Sequence, residues 1–283
     1  MKFLDAALIN GVGEDESQFT SLTGKKSLRL YAANTSMALG LNTIPGSAFW
    51  MACEWISAGT RAKNEIIGVE AVPKSASEAR AIGLQAEQYM AAAMQLPREK
   101  QIAHLVETTT MFEVFTMRCG PYAHGVLENV LKSMVVGAWT CLEALSETLY
   151  YESHTETPAS FPALSKTQED KIGFRSRKKI RDSFRVSFLG GTEICSALDD
   201  KSLDALALLR NVIVHKAAIA DQEFMDGIPL SAPYLDAYKN LTPDRDAVAL
   251  DGAIVYSVVD SAFKCGHKCI AAVDRWIVLN RKP

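Results

Sequence analysis

Three polar residues near the C-terminal end of the sequence have types and a spacing that suit acid–base and phosphate chemistry. Arg210 and Asn211 end an apolar helical pattern, and His215 follows a few residues later. Histidine titrates near neutral pH, so its imidazole can accept or donate a proton under physiological conditions. A guanidinium presents paired N–H groups that match the oxygens of a phosphate. We therefore take Arg210, Asn211 and His215 as the candidate catalytic residues.

The spacing leaves open how these side chains would meet. On a regular helix, Asn211 and His215 are one turn apart and share a face. Arg210 and His215 are separated by about 140° on the same helix, which splays them. They can converge if the helix ends at His215, if the long side chain of Arg210 turns back, or across the two-fold axis of a dimer.

A purely structural interpretation of the same residues also exists. Arg210 could pair with Glu143, and His215 could stabilise a helix C-terminus, where positive charge is favourable. We favour the catalytic interpretation, because an apolar helix seldom ends in three such groups without a use for them.

The element that must position these residues is a helix. Asp200 and Ser202 are both good N-cap residues, and Asp204 would lie in the first turn, where negative charge is favourable. Apolar residues follow at spacings of three and four: Leu203, Leu206, Leu209 and Ile213. The pattern predicts a helix from about Asp200 that ends within a few residues of His215.

Helical periodicity is common elsewhere and strand signals are scarce. It predicts helices over residues 75–96, 98–118, 122–151 and 166–188, and a final amphipathic helix that carries Val255 to Trp276. The residues before Ile44 are the hardest to interpret. We expect an all-α fold, with a helical N-terminal region (residues 1–120) and a C-terminal helical bundle (residues 121–283).

The motif and its surroundings resemble a known family. Arg210-Asn211-x-x-x-His215, followed by a short apolar stretch, Asp221 and Phe224, is similar to the Rx4–6H motif of the HEPN superfamily. That motif lies late in a helix of an antiparallel bundle. Residues 138–143 resemble the first helix of the family, with Glu143 as its inward polar residue. The resemblance covers residues 121–283 and does not extend to residues 1–120.

The resemblance implies cleavage of RNA without a metal or other cofactor, by a homodimer whose motifs face each other. Attack by a ribose 2′-OH needs a base, an acid for the leaving oxygen and positive charge for the phosphate. His215 would be base or acid, Arg210 the phosphate clamp, Asn211 an orienting group and Glu143 a supporting residue. One chain offers one such histidine, whereas a dimer offers two.

Family analogy alone suggests a role in defence or in toxin–antitoxin growth control, with an antitoxin or regulatory protein as a further partner. Two other function classes stay open. One is a non-catalytic HEPN-like module that binds a nucleotide or a protein, and the other is a helical interaction protein in which the motif is structural. Many members carry Gly or Asn after the histidine, where this chain has Lys216 and Ala217, so a different local turn is expected. Ala217 also replaces the tyrosine of one toxin subgroup, which argues against control by nucleotidylation.

A basic run precedes the motif helix, in an otherwise slightly acidic chain of net charge −3. Its cations are Lys171, Arg175, Arg177, Lys178, Lys179, Arg181 and Arg185, interrupted by a single acid, Asp182. It could be a solvated helix face or a surface that follows RNA phosphates. Beside the motif we favour the second interpretation. The predicted RNA-binding residues are Arg177, Lys178, Lys179, Arg181 and Lys216, whereas Phe174, Phe184 and Phe188 are expected to face the core.

Composition supports a globular protein, with 48% hydrophobic and 22% charged residues. No signal peptide or membrane span is expected, and six scattered cysteines are typical of reduced thiols. We therefore predict a soluble, cytoplasmic protein. Cys265, His267 and Cys269 look like metal ligands at first, but on a helix His267 points away from both cysteines. We expect two core cysteines and a surface histidine.

Overall fold

The structure is a computed structural model that describes residues 12–13, 15–96 and 121–281. Its helices are α1 (Leu22–Ile66), α2 (Ala76–Met94), α3 (Pro121–Glu156), α4 (Lys166–Glu169), α5 (Arg177–Ser187), α6 (Thr192–Leu198), α7 (Lys201–His215), α8 (Gln222–Gly227) and α9 (Gly252–Asn280). These ranges contain no β-strand, only a single antiparallel bridge between Ile219 and Ala247. The prediction of an all-α fold is confirmed, and the HEPN-like arrangement of the bundle stays a prediction.

No helix within the described ranges combines the length and the apolar character that crossing a bilayer requires. The helix predicted over residues 98–118 lies outside the described residues, as does residue 120 at the predicted domain boundary. α1 includes Pro45, a residue that normally ends a helix or lies in its first turn, which explains why the sequence pattern did not predict this helix.

The described residues fall into two compact units, one within Thr43–Val126 and the other within Asp5–Asn42 and Leu127–Pro283. In the first unit, α2 begins at the N-cap Ser75, whose side chain accepts a hydrogen bond from the Glu78 amide. Its small core includes Ala58, Ala62 and Met90. The division of the chain at residue 120 stays a prediction.

In the larger unit, the first turn of α1 is capped by carboxylates from two other helices. Asp274 of α9 is buried and accepts hydrogen bonds from the amide and the hydroxyl of Ser21, at 2.7 and 2.6 Å. Glu156 of α3 accepts from the amides of Leu22 and Thr23, at 3.2 and 2.7 Å. The first amides of a helix have no partner within it, so these two carboxylates hold the start of α1 in place.

The long helix α9 supplies much of the core of this unit. Its apolar face packs against α6 and α7. Cys265 and Cys269 are buried in that face, and His267 is half-exposed beside the ring of Phe19. The interpretation of this segment as two core cysteines and a surface histidine is confirmed.

The motif helix α7 forms where the capping pattern predicts it. The Asp200 side chain accepts a hydrogen bond from the Ser202 amide at 2.9 Å, which makes Asp200 the N-cap. The helix ends at His215, as predicted, and its buried face includes Leu203, Leu206 and Leu209. Val212 is buried on the same face, whereas Ile213 is only half-buried.

The basic segment departs from its prediction. The single helix expected over residues 166–188 is divided into α4 and α5, with a non-helical connection between them. Ser176 caps α5 by accepting from the Lys179 amide, and the Ser183 hydroxyl bonds both the amide and the carbonyl of Gly173. These side-chain bonds compete with helical backbone bonds, which explains the break.

Candidate active site

Arg210 and His215 converge within one chain. The Nη1 atom of Arg210 lies 2.9 Å from Nε2 of His215 and 3.1 Å from Oδ1 of Asn211. On a regular helix Arg210 and His215 would point in different directions. They meet here because the arginine side chain is long and because α7 ends at His215. Two of the three routes to convergence inferred from the sequence, the helix end and the turned side chain, therefore operate together.

The chemistry of the two groups sets the direction of the hydrogen bond between Arg210 and His215. A guanidinium carries only N–H donors and no acceptor, so His215 Nε2 must accept the hydrogen bond. The imidazole is then neutral, with its proton on Nδ1. A neutral imidazole with an available nitrogen lone pair is the form that can act as a general base.

The chain leaves the helix after His215 through an unusual turn. The carbonyl of Val212 accepts hydrogen bonds from the amides of Lys216 and Ala218, at 3.2 and 2.9 Å. Ala217 and Ala218 have φ angles of 50° and 62°, in the left-handed region that glycine or asparagine adopts more easily. Two alanines there carry backbone strain, which must be offset by surrounding contacts.

The segment that follows this turn is tied to a distant part of the chain. The Ala220 amide donates to the Asp246 carbonyl at 3.0 Å, and the Val248 amide donates to the Ala218 carbonyl at 2.7 Å. Ala218 and Ala220 are buried. These bonds hold the left-handed turn in place and thereby fix the end of the helix that carries His215.

A cavity of about 390 Å³ opens beside the motif, and we call it the Arg210 cleft. It is lined by polar and charged residues from three parts of the larger unit, together with Leu208, Val212 and Phe224. The polar and charged lining residues are Arg175, Arg210, Asn211, His215, Lys216, Asp221 and Glu223. All three predicted catalytic residues therefore face one space large enough to admit part of a ligand.

Asp221 contributes structure to the rim of the Arg210 cleft. Its carboxylate caps α8 by accepting from the Phe224 amide at 2.9 Å, and it lies 3.1 Å from Nζ of Lys216. The Phe224 amide hydrogen bond, followed by the Lys216 ammonium, lowers the pKa of Asp221 below its usual value despite partial burial. Lys216, a predicted RNA-binding residue, lines the cleft, and its charge is paired with the Asp221 carboxylate.

Glu143 does not join the candidate site. Its carboxylate accepts a hydrogen bond from Nε1 of Trp139 at 2.7 Å, one helical turn away on α3. Within the described ranges it makes no hydrogen bond or ion pair with Arg210, Asn211 or His215. No described contact supports Glu143 as a supporting residue of the site. No described contact supports the structural alternative either, in which Glu143 pairs with Arg210.

Among the predicted RNA-binding residues of the basic run, the two arginines are ion-paired within the described ranges and the two lysines are not. Arg177 is 12% exposed and its Nε lies 2.9 Å from Oδ1 of Asp204, while Arg181 lies 2.7 Å from Asp199. Lys178 and Lys179 are exposed and have no carboxylate partner in the part of the chain that the structure describes. Arg177 is thus a packing residue and not a surface cation, because its charge is buried and used internally.

The aromatic residues of the same run lie in the core, as expected. Phe174, Phe184 and Phe188 are buried, and all three rings contact Tyr150. They are unavailable for stacking on bases. Any nucleic acid contact by this segment must therefore use its exposed cations.

Two residues of the Arg210 cleft, Arg175 and Glu223, were not predicted from the sequence. Arg175 was one cation among several in the basic run, and only the break before α5 brings it to the cleft. Glu223 follows the N-cap Asp221 in the first turn of α8. The sequence shows that Glu223 follows the motif, but periodicity and capping do not predict that α8 packs beside α7.

The family resemblance has no independent support from known proteins. Comparisons with models of protein families, with curated proteins and with solved structures found no match for this chain. The interpretation of the site therefore depends on the chemistry of the residues in the Arg210 cleft.

Proposed function

We propose that this protein is an endoribonuclease that cleaves RNA by internal transesterification, as the HEPN resemblance implies. The observation that carries the proposal is the contact between Arg210 and His215, which places a neutral imidazole and a guanidinium side by side in an accessible cleft. These are the two groups that attack by a ribose 2′-OH on its neighbouring phosphate requires.

His215 Nε2 would accept the proton of the 2′-OH as the 2′ oxygen bonds to phosphorus. The bond from phosphorus to the 5′ oxygen then breaks, which leaves a 2′,3′-cyclic phosphate and a 5′-hydroxyl. Arg210 would release His215 and donate its paired N–H groups to the phosphate oxygens, where negative charge develops. Asn211 would orient either the imidazole or the phosphate.

The leaving 5′ oxygen needs a proton from a second group. A homodimer with two facing Arg210 clefts would supply a second His215 in its protonated form, which would give its proton to the 5′ oxygen as the bond to phosphorus breaks. We propose that the protein acts in this way in the cytoplasm, in defence or in toxin–antitoxin growth control. An antitoxin or regulatory protein would then bind near the same cleft.

The test compares the wild-type protein with His215→Ala on end-labelled RNA in the presence of EDTA. The proposal expects cleavage by the wild type, cyclic phosphate ends on the product, and a loss of about 10²–10⁴-fold in the variant. His267→Ala is the control, since His267 lies on α9 and does not line the Arg210 cleft.

Equal cleavage by the wild type and His215→Ala would mean that the activity comes from elsewhere. RNA that binds in the cleft without being cut would favour the alternative of a non-catalytic nucleotide-binding module. The thermal midpoint of each variant is measured in parallel, because unfolding of His215→Ala would instead support a structural role for the motif.

A further inference from the structure

Arg175 extends into the Arg210 cleft from outside the motif helix. It is exposed and lines the same cavity as Arg210 and His215. Among the described residues it makes no hydrogen bond and no ion pair, unlike Arg177 and Arg181 of the same run. We propose that Arg175 is a second phosphate-binding residue of the site, which holds an RNA phosphate together with Arg210. The choice of RNA as the ligand rests on the proposed function.

The backbone that carries Arg175 is held in place on both sides. Phe174 is buried, with its ring centroid 5.4 Å from that of Tyr150. On the other side, Arg177 is ion-paired with Asp204 of α7, and its Nη2 reaches the carbonyl of Asp200. Arg175 is therefore an exposed side chain between two anchored neighbours, so little backbone freedom is lost when it binds a ligand.

The ion pair of Arg177 with Asp204 also determines where along α7 the Arg175 side chain lies. Asp204 and Arg210 lie on the same helix, about 9 Å apart along its axis at 1.5 Å per residue. The ion pair of Arg177 with Asp204 thus fastens the connection before α5 to the helix that carries Arg210. This explains how a residue distant in sequence comes to line the cleft.

The balance of charge in the cleft favours an anionic ligand. Lys216 and Asp221 neutralise each other at 3.1 Å. Arg210 donates to Asn211 and His215, neither of which is a carboxylate, and Arg175 has no partner in the described ranges. Glu223 is the one lining carboxylate that no described cation pairs with. The unpaired charges of the cleft are therefore two positive guanidiniums and one negative carboxylate, which leaves a net positive charge. A phosphate bound between the two guanidiniums would reduce the repulsion between them.

The experiment measures binding separately from cleavage. A fluorescent RNA oligonucleotide with 2′-O-methyl groups, which has no free 2′-OH to attack, is titrated with the wild type, Arg175→Ala, Arg175→Gln, Arg175→Lys and Arg185→Ala over a series of salt concentrations. Arg185→Ala is the control, because Arg185 is 57% exposed in the same basic run, makes only a long contact of 3.9 Å with Asp182 among the described residues, and does not line the cleft. Arg175→Gln keeps the length and polarity of the side chain and removes only its charge.

We expect Arg175→Ala and Arg175→Gln to bind about 10-fold more weakly at low salt, as the loss of a charge-assisted hydrogen bond predicts. The slope of log affinity against log salt should become shallower by about 0.7, the value for one phosphate contact on a single strand. Arg175→Lys should keep the slope and lose part of the affinity. Arg185→Ala should bind like the wild type.

Wild-type affinity and slope in both Arg175→Ala and Arg175→Gln would overturn the inference, as would an equal loss in Arg185→Ala. Cleavage of unmodified RNA, measured in parallel, separates this inference from the proposed function. A wild type that cuts RNA while its binding is independent of Arg175 contradicts the inference alone. Binding that depends on Arg175 without any cleavage contradicts the ribonuclease alone, and a wild type that binds no RNA contradicts both.

Discussion

The Nη1 atom of Arg210 lies 2.9 Å from Nε2 of His215, so the guanidinium donates to the ring nitrogen of a neutral imidazole. Each residue holds the other in place through this contact. A bound phosphate would compete for the guanidinium and free the nitrogen lone pair at the moment when a base is needed. Ligand binding and activation of the base would then be one event.

The first prediction concerns Arg210→Lys. Lysine keeps the positive charge but loses the paired donors, so RNA cleavage should fall by about 10- to 100-fold, in line with the value of hydrogen bonds to charged groups. The measurement is the rate of cleavage at saturating RNA, together with the thermal midpoint. Arg181→Lys is the control, because Arg181 pairs with Asp199 outside the cleft. A wild-type rate of cleavage in Arg210→Lys would show that two N–H donors from residue 210 to the phosphate are not required.

The second prediction is a homodimer that brings two Arg210 clefts together. A single histidine cannot supply both the base and the acid in one turnover without first exchanging its proton. Light scattering should give twice the mass of one chain at micromolar concentration. Adding an excess of His215→Ala protein to the wild type should lower the cleavage rate per wild-type chain, because each mixed dimer has only one His215. A monomer whose specific activity is independent of dilution would contradict this prediction.

The third prediction separates the free cations of the basic run from the paired ones. Replacing Lys178 and Lys179 with alanine should make the salt dependence of RNA binding shallower by about 1.4, the value for two phosphate contacts on a single strand. Adding Arg181→Ala should change the slope little, since Arg181 is ion-paired. If the double variant keeps the wild-type slope, these lysines are only a solvated helix face.

The fourth prediction tests the cap of α1. Asp274→Ala removes the acceptor of the Ser21 amide and hydroxyl and leaves buried donors unpaired. The free energy of unfolding should fall by about 2–4 kcal/mol, measured by urea denaturation. Asp260→Ala is the control on the same helix, because Asp260 pairs only with the exposed Lys264. Comparable losses in the two variants would contradict a special role for Asp274.

The fifth prediction concerns pH. His154 stacks on Phe161 at a ring separation of 3.6 Å, and burial lowers its pKa. Its Nε2 is buried and has no hydrogen-bond partner among the described residues. The unfolded chain therefore takes up the proton first, so stability falls as pH drops below the ordinary histidine pKa of about 6.5. His154→Phe should lose less stability than the wild type between about pH 7 and pH 5. Denaturation curves at the two pH values measure this, and a loss in His154→Phe equal to that of the wild type would contradict the prediction.

The parts of this fold that could be predicted are those that depend on local chemistry. Asp200 as the N-cap and the apolar spacing after it were enough to place α7 and its end at His215. The bond between Trp139 and Glu143 is also local, one turn apart on a helix, and could have been considered before Glu143 was assigned to the site. The contact of Arg210 with His215 depends on a side-chain rotamer, which spacing alone does not determine.

The parts that could not be predicted depend on contacts between distant segments. Arg175 lies at the Arg210 cleft in a segment that is fastened to α7 by the ion pair of Arg177 with Asp204, 27 residues away. The left-handed turn at Ala217 and Ala218 depends on bonds to residues 246–248, against the preference of alanine itself. Periodicity and capping rules consider neighbours within a few turns, so such arrangements lie beyond them.

The cap of α1 by Asp274 has a consequence for synthesis of the chain. The ribosome makes Ser21 253 residues before Asp274, which at about 5–20 residues per second is a delay of about 13–50 s. Until α9 emerges, the start of α1 lacks its buried acceptor, and the larger unit cannot close. This unit therefore cannot complete its folding before the ribosome has made α9, and during that interval the buried donors at the start of α1 are satisfied by water.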